Sequence, residues 1–195
     1  MSSSPQIMRA LRFHEFGEPG DVLELGDAPI PEPAANRICI AVHACGLNPA
    51  DWALCRGLFA GELPRGVGLD AAGTVHAIGE GVTDVAVGDR VAGMADFAGS
   101  ASAGAADFAI LDHWAPLPAN IDFVDASALP MAIETAALHL HAMELARGNT
   151  VLIHAAGTTI GFAAVQIALL HGAKVIATAG ETYAERLRGM GASVT

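Results

Sequence analysis

The sequence predicts an α/β protein in which a β-rich region, residues 1–120, precedes the beginning of a doubly wound parallel sheet, residues 121–195. Two observations support this division. Short apolar runs separated by glycine-rich turns fill the first region, whereas residues 150–180 read as a buried strand, a turn of small residues, a helix and a second buried strand. A strand–helix–strand crossover of this kind places its two strands parallel and side by side.

In the β-rich region, strands are indicated by alternation and by the residues that interrupt it. Apolar side chains alternate over residues 38–44, which is typical of a half-buried strand. Further strands are predicted at residues 74–78 and 90–92, on either side of a turn around residues 79–81, and at residues 106–111. Almost every residue of 95–106 is small, so a flexible surface loop is expected there.

The second region begins with a predicted helix over residues 126–147, which is capped by Asp125 or Ser127 and ended by Gly148. Pro130 falls in its first turn, where the missing N–H does least harm. The elements that follow are a strand at 151–153, a helix at 160–171, a strand at 174–178, a helix at 182–190 and an indicated third strand at 192–195.

The turn before the second of these helices has the composition of a phosphate-binding turn. Residues 155–159 carry no large side chain, and the helix directs free N–H groups and the positive end of its dipole at them. A dinucleotide turn usually reads Gly-x-Gly-x-x-Gly, whereas residues 156–161 read Ala-Gly-Thr-Thr-Ile-Gly. Gly161 is in its usual place, Gly157 lies one position early, and Thr158 stands where the backbone approaches the phosphates. The Thr158 hydroxyl could donate a hydrogen bond there instead, and a crossover helix that binds no nucleotide is the alternative.

Composition argues against several classes of protein. The chain of 195 residues is 52% hydrophobic and 16% charged, which is typical of a globular protein. A net charge of −11 argues against nucleic acid and anionic membrane surfaces as partners. No run reaches the ~18 apolar residues of a membrane span, and residues 1–13 lack the apolar core of a secretory signal. The three cysteines lack paired spacing, so a cytoplasmic protein without disulfides is expected.

Four runs carry a resemblance to a known family: GLNPADW at 46–52, GLDAAGTV at 68–75, VGDRV at 87–91, and residues 151–179. In order and spacing, they resemble the medium-chain dehydrogenase/reductase superfamily, and within it the zinc-independent quinone oxidoreductase (zeta-crystallin-like) branch. The resemblance implies a GroES-like β-barrel lobe followed by the start of a Rossmann domain. It also implies that hydride from NADPH reduces a small-molecule quinone or α,β-unsaturated carbonyl compound.

The resemblance further implies that this chain works without zinc. The zinc-dependent relatives carry a cysteine ligand where this chain has Asn48, and a His-Glu pair where it has Leu69 and Asp70. Leucine cannot coordinate a metal, and an amide oxygen is a poor zinc ligand beside a thiolate. No cysteine follows Cys55, and the eight histidines form no recognisable ligand cluster.

Three residues outside the turn are assigned roles by the resemblance. Asn48 would hydrogen-bond the substrate carbonyl, and its alternative role is to form a turn before Pro49. Asp51 belongs to the same catalytic motif and is expected to fix the local loop, either by accepting backbone N–H bonds or by pairing with Arg56. Thr135 would contact the nicotinamide side of the cofactor, or would only bond its own preceding helical turn.

Cofactor choice is inferred from the end of the second parallel strand. NAD-binding enzymes commonly carry an acid there, whereas Thr178 and Gly180 offer none, which favours NADP. Glu181 weakens this preference, so NAD stays open, and Tyr183 and Arg186 would replace the lysine that NADP-using relatives carry. The expected cofactor-binding residues are Thr135, Gly157, Thr158, Thr159, Ile160, Gly161, Thr178, Gly180, Tyr183 and Arg186.

Relatives in this branch continue beyond residue 195 and complete the parallel sheet, so the sequence is expected to be a fragment or a shortened form. The resemblance implies a homodimer for the full-length form. Two other functions stay open. One is a shortened, non-enzymatic scaffold, crystallin-like or interaction protein, and the other is a zinc-type alcohol dehydrogenase, which Asn48 and Leu69 disfavour.

Overall fold

The computed structural model describes residues 6–59, 61–96 and 102–195. The chain divides into two compact units, Met1–Pro130 and Met131–Thr195. The division expected at residue 120 lies inside the first of these units. Within the described ranges, every helix is too short or too polar to cross a lipid bilayer.

The first unit consists of β-strands and short helices, and the second alternates strands with longer helices. The elements of the first unit are β1 (Ile7–Phe13), α1 (Pro19–Val22), β2 (Glu24–Pro29), β3 (Ile38–Gly46), α2 (Pro49–Cys55), β4 (Arg65–Gly66), β5 (Asp70–Ile78), β6 (Arg90–Ala95), β7 (Phe108–Pro116) and α3 (Phe123–Ala126). Those that follow are α4 (Pro130–Ala142), β8 (Thr150–Ile153), α5 (Thr159–Leu170), β9 (Lys174–Ala177), α6 (Glu181–Met190) and β10 (Ser193–Val194).

A closed antiparallel barrel of β3, β5, β6 and β7 forms the centre of the first unit. Because successive side chains of a strand point to opposite faces, every second residue of each strand faces the interior of the barrel. The fully buried residues include Ile38 and Ile40 of β3, Val91 of β6 and Leu111 of β7. The strands predicted at 38–44, 74–78 and 90–92 are confirmed with longer bounds, whereas the one predicted at 106–111 begins at Phe108 and continues to Pro116.

A second sheet, in the order β2-β1-β4, is joined to the barrel by the chain segment before β7. In that segment Ala105 C=O accepts from Leu11 N–H at 2.9 Å, and Asp107 C=O accepts from Val42 N–H at 2.9 Å. Gly104 N–H donates to Gly68 C=O at 2.7 Å. The surface loop predicted over 95–106 is therefore wrong for residues 102–106, since their small side chains allow this close packing. Residues 97–101 of the predicted loop lie outside the described residues.

The single helix predicted over residues 126–147 is wrong, because the chain forms two helices there. Asp122, rather than Asp125 or Ser127, caps α3, and its side chain accepts from Asp125 N–H at 2.7 Å. Pro130 then begins α4, since proline has no N–H to donate and is tolerated only in a first helical turn. The helix ends at Ala142, before Gly148 takes a positive φ of 85°.

The second unit contains a parallel sheet in the order β10-β9-β8, as the crossover pattern predicts. Val151 of β8 pairs in register with Val175 of β9, and both are buried against Val165 and Ala168 of α5. The third strand indicated by the sequence is confirmed as β10. The predicted bounds of β8, α5, β9 and α6 differ from the observed ones by one residue at one or both ends.

Gly161 allows α5 to begin in direct contact with the end of β8. A Cβ atom at this position would overlap the carbonyl oxygen of Ala155 and would lie 2.7 Å from the Cα of Ala156. Both neighbours belong to the backbone, which cannot move without displacing the turn. This is the packing role that the last glycine of a dinucleotide turn usually has.

We expect Gly161→Ala to lower the free energy of unfolding of the second unit by about 1–3 kcal/mol, because the added methyl group overpacks a backbone contact. The measurement is urea unfolding followed by circular dichroism. Gly189→Ala on α6 is the matched control, since a Cβ atom there meets no neighbour within 4 Å. That control should be neutral or raise stability by about 0.4–1 kcal/mol. Equal effects of the two substitutions would contradict the packing role of Gly161.

Candidate functional site

Asn48 and Asp51 lie together at the start of α2 in the first unit. Asn48 has extended backbone, with φ −122° and ψ 159°, and Pro49 follows as the first helical residue. Asp51 is 3% exposed, and its two carboxylate oxygens accept backbone N–H bonds. One comes from Asn48 at 2.6 Å and the other from Gly68 at 2.6 Å. The carboxylate therefore ties the start of the helix to the chain that leads into β5.

The environment of Asp51 combines two opposing influences on its pKa. Burial raises the pKa of this carboxyl, and hydrogen bonds from backbone N–H groups, including those of Asn48 and Gly68, act in the lowering direction. Of the two arrangements expected for Asp51, the structure has the one with backbone N–H donors. The expected pair with Arg56 is wrong, because Arg56 instead pairs with Glu18 at 2.7 Å on an exposed surface.

The side chain of Asn48 contacts a second buried carboxylate that sequence reasoning did not include in the site. Asn48 Nδ2 donates to Asp70 Oδ2 at 3.0 Å, and Asp70 is 2% exposed. From the sequence, Asp70 is named only as a position where zinc-dependent relatives carry a ligand. An acidic residue at the start of an otherwise apolar strand is the sequence feature that could have identified it, since Asp70 is the first residue of β5.

In the second unit, Thr158 caps α5 with its own side chain. Its hydroxyl oxygen accepts from Gly161 N–H at 3.1 Å, and the hydroxyl donates to Ala155 C=O at 2.9 Å. Ala155 adopts a positive φ of 54°, which turns its carbonyl into this position. In this conformation the one hydroxyl proton is donated to Ala155, so donation to a phosphate would require the hydroxyl to rotate, and that role stays a prediction.

Two backbone N–H groups at the start of α5 remain directed at the turn. An α-helix leaves its first N–H groups without intrahelical acceptors. Gly161 N–H is bound by the Thr158 hydroxyl, and Phe162 N–H donates to Thr158 C=O at 2.8 Å. The N–H groups of Thr159 and Ile160 precede these, and no acidic residue lies in the first turn of α5. This end of the helix can therefore bind an anion.

Tyr183 packs over Gly157, which explains why a glycine stands one position early in the turn. A Cβ atom on Gly157 would lie 2.6 Å from Cδ2 of Tyr183. The Tyr183 ring makes an edge contact with Phe162, with centroids 6.1 Å apart, and the guanidinium carbon of Arg186 lies 5.0 Å from the Phe162 centroid. Sequence reasoning missed Phe162, which joins two residues expected at the cofactor site.

Thr178 connects the carboxyl ends of the two parallel strands. Its hydroxyl oxygen accepts from Ala155 N–H at 3.3 Å and lies 3.2 Å from Nδ1 of His154, and its carbonyl accepts from Ala156 N–H at 2.9 Å. Gly180 is the N-cap residue of α6. A Cβ atom there would meet nothing within 4 Å, so the space beside it is open. Ligands of parallel α/β sheets bind at this edge, outside the carboxyl ends of the strands.

Thr135 lies on α4 and is half-buried. Its carbonyl oxygen accepts a hydrogen bond from Nδ1 of His139 at 2.7 Å, which is a contact of the main chain. Its expected role at the cofactor concerns the hydroxyl, and that role stays a prediction.

Comparisons with known proteins show which proteins this chain resembles. Residues 34–115 match the model of the alcohol dehydrogenase GroES-like domain. A quinone oxidoreductase of Rattus norvegicus is 37% identical over 193 residues, which are 96% of this chain and 57% of that protein. The solved quinone oxidoreductase of Coxiella burnetii superposes with a TM-score of 0.79 at 34% identity, covering 97% of this chain and 62% of the other. A mycobacterial protein solved in complex with NADPH superposes with a TM-score of 0.73 at 34% identity, covering 96% and 58%.

These findings support the medium-chain dehydrogenase/reductase superfamily as the family of this chain. The relatives named quinone oxidoreductase support that branch of it. The predicted fold class is confirmed as a GroES-like β-barrel lobe followed by the start of a Rossmann-like parallel sheet. The chain spans about 57% of the length of the curated relatives it matches.

The residues at the zinc position of this superfamily do not fit a zinc ion. Asn48 offers an amide that already donates to Asp70, and Leu69 is an apolar side chain with 2% exposure. Zinc sites are built from thiolate, imidazole and carboxylate ligands. In the described ranges, no group of three or more histidine, cysteine, aspartate or glutamate residues is arranged to hold a metal.

Cys45, which lies beside this position, is held as a neutral thiol. Burial raises the pKa of the thiol to about 12, and the negative charges of Asp51 and Asp70 act in the same direction. The nucleophile and metal ligand is the thiolate, which is scarce at neutral pH when the pKa is this high. A neutral thiol at Cys45 would contribute packing rather than act as a nucleophile.

Proposed function

We propose that the protein is an NADPH-dependent oxidoreductase that reduces a quinone or an α,β-unsaturated carbonyl compound by hydride transfer, without zinc. The observation that carries the proposal is the start of α5, where the N–H groups of Thr159 and Ile160 face a turn that Gly161 keeps in contact with β8. This turn suits a dinucleotide diphosphate. The names of the relatives and the mycobacterial neighbour bound to NADPH support the same reaction.

The division of work follows from the chemistry of the residues. When bound, the nicotinamide supplies the hydride, so the protein needs only to bind, orient and stabilise charge. Asn48 keeps one N–H beyond the one that it donates to Asp70, and this donor would bind the oxygen of the acceptor, where negative charge develops. A quinone or an enone is already activated for hydride, so a metal Lewis acid is not required.

The proposed preference for NADP rests on the end of β9. Thr178 and Gly180 follow this strand without an acidic side chain that would repel a 2′-phosphate. Arg186 lies near the turn through its contact with Phe162, and Tyr183 covers Gly157. Glu181 is exposed at the first position of α6, and its charge is the feature that opposes this choice.

The remaining parts of the proposal concern the protein in the cell. We also infer a cytoplasmic enzyme that acts on a small-molecule substrate and whose full-length form is a homodimer. The negative net charge of −11 disfavours nucleic acid as a partner.

We expect NADPH to bind the chain, and Thr158→Glu to weaken this binding by about 100-fold or more, because a carboxylate is set beside the phosphates. The measurement is the change in nicotinamide fluorescence on titration. Thr158→Ser is the matched control, since serine keeps the cap on Gly161 N–H and should keep the affinity. Unchanged affinity in the glutamate variant would show that the phosphates bind elsewhere. No binding by the chain or by the whole protein would favour the non-enzymatic alternative.

Arg186→Ala should weaken NADPH binding by about tenfold and leave NADH binding unchanged, because only NADPH carries the 2′-phosphate that the guanidinium would bind. Arg188→Ala removes the same charge from an exposed residue of α6 that faces another direction, so it is the control for a general loss of positive charge. Both affinities are measured by the same fluorescence titration. Equal losses for the two variants, or for the two cofactors, would remove Arg186 from the cofactor site.

Asn48→Ala should lower kcat for quinone reduction in the whole protein by about 100-fold and leave the Kd of NADPH unchanged, since the lost donor acts on charge that develops only during the reaction. Steady-state kinetics and cofactor titration measure the two quantities separately. A fully active Asn48→Ala variant would return Asn48 to the role of a turn residue at the start of α2.

A further inference from the structure

Asn48 is held by two buried carboxylates that act on different parts of the residue. Asp51 accepts from its backbone N–H at 2.6 Å, and Asp70 accepts from its side-chain Nδ2 at 3.0 Å. The first contact fixes where the residue begins α2. The second fixes the rotation of the amide about its own side-chain bonds.

The chemistry of the Asp70 contact selects one face of the amide. An ionised carboxylate can only accept hydrogen bonds, so the NH₂ group of Asn48 must face it and the Oδ1 oxygen must not. One N–H is donated to Asp70. The amide oxygen faces the backbone N–H of Asp51 in the capping box of α2, so the amide keeps one N–H for another partner, in a fixed orientation.

Asp70 can orient the Asn48 amide only if its own position is fixed, and the surrounding strands fix its backbone. It is 2% exposed and pairs in register with Gly46 of β3 and Met94 of β6. A Cβ atom on Gly46 would lie 3.0 Å from the Cβ of Asp70 and would overlap the carbonyl oxygen of Ser127. Neighbouring strands on both sides fix the backbone of Asp70, and its burial encloses the carboxylate that accepts from Asn48.

We propose that Asp70 is a positioning residue that sets the amide of Asn48 for catalysis. The inference rests on the proposed function, in which Asn48 binds the oxygen of the acceptor. With its NH₂ group oriented by Asp70, Asn48 offers its second N–H to the oxygen of the acceptor, where negative charge develops.

A double-mutant cycle on Asp70 and Asn48 tests this inference in the whole protein. Asp70→Asn keeps the shape of the side chain but can either donate or accept, so it no longer selects one amide orientation. We expect it to lower kcat by about tenfold with the Kd of NADPH unchanged. In the Asn48→Ala background, the same substitution should have no further effect on kcat, because its route of action is gone.

Asp96→Asn is the matched control for the loss of a buried negative charge from this unit. Asp96 is 6% exposed and pairs with Arg37 at 2.6 Å. This variant should lower thermal stability and leave kcat unchanged. Two results would overturn the positioning role and leave the proposed function standing. In the first, Asp70→Asn lowers kcat equally in both backgrounds. In the second, Asp70→Asn leaves kcat unchanged while Asn48→Ala lowers it. If Asn48→Ala is fully active, the proposed role of Asn48 has failed.

A second measurement does not depend on turnover and uses the 195-residue chain itself. We expect the side-chain NH₂ group of Asn48 to show one downfield-shifted proton in a ¹⁵N–¹H NMR spectrum, because one N–H is donated to a carboxylate. The peak pair is assigned by its loss in Asn48→Ala. The spectrum has few such groups: Gln6, Asn36, Asn48, Asn120, Asn149 and Gln166. Asp70→Asn should move this proton upfield, and an unshifted proton in the wild-type chain would overturn the contact.

Discussion

Backbone N–H groups at the ends of helices and strands need acceptors. The candidate site residues of each unit depend on how this requirement is met. In the first unit, a buried carboxylate meets it, because Asp51 accepts from Asn48 and Gly68 and thereby positions the start of α2. In the second unit, Thr158 caps only part of α5. The N–H groups of Thr159 and Ile160 are then directed at the turn, where a diphosphate would accept from them.

Small residues make the close approaches that this arrangement requires. Gly161 brings α5 against the end of β8, and Gly157 leaves room for the ring of Tyr183. Gly68 lies against Ala105, where a Cβ atom would be 2.6 Å from the backbone nitrogen, so the segment before β7 can join sheet and barrel. At these three positions, the glycine marks a close contact in the packed structure.

Local patterns predicted those elements whose residues interact with near neighbours in the chain. Strand alternation located β3, and the crossover pattern located β8, α5 and β9 with an error of about one residue. The errors arose where a tertiary contact or one special residue decided the outcome. Pro130 divided the predicted helix, and hydrogen bonds to distant strands turned residues 102–106 from a predicted loop into a packed segment. The cap that the Thr158 side chain forms on its own helix was also not predicted.

By itself, the sequence determined the order of the elements, the small-residue turn before α5 and the lack of zinc-ligand residue types at Asn48 and Leu69, since these depend on residue type and short spacing. Tertiary structure decided which side chains meet. The Asn48–Asp70 contact joins residues 22 positions apart, and the packing of Tyr183 on Gly157 joins the starts of two different helices. Contacts of this kind depend on how strands pair and helices cross, and no short-range pattern of residues contains that information.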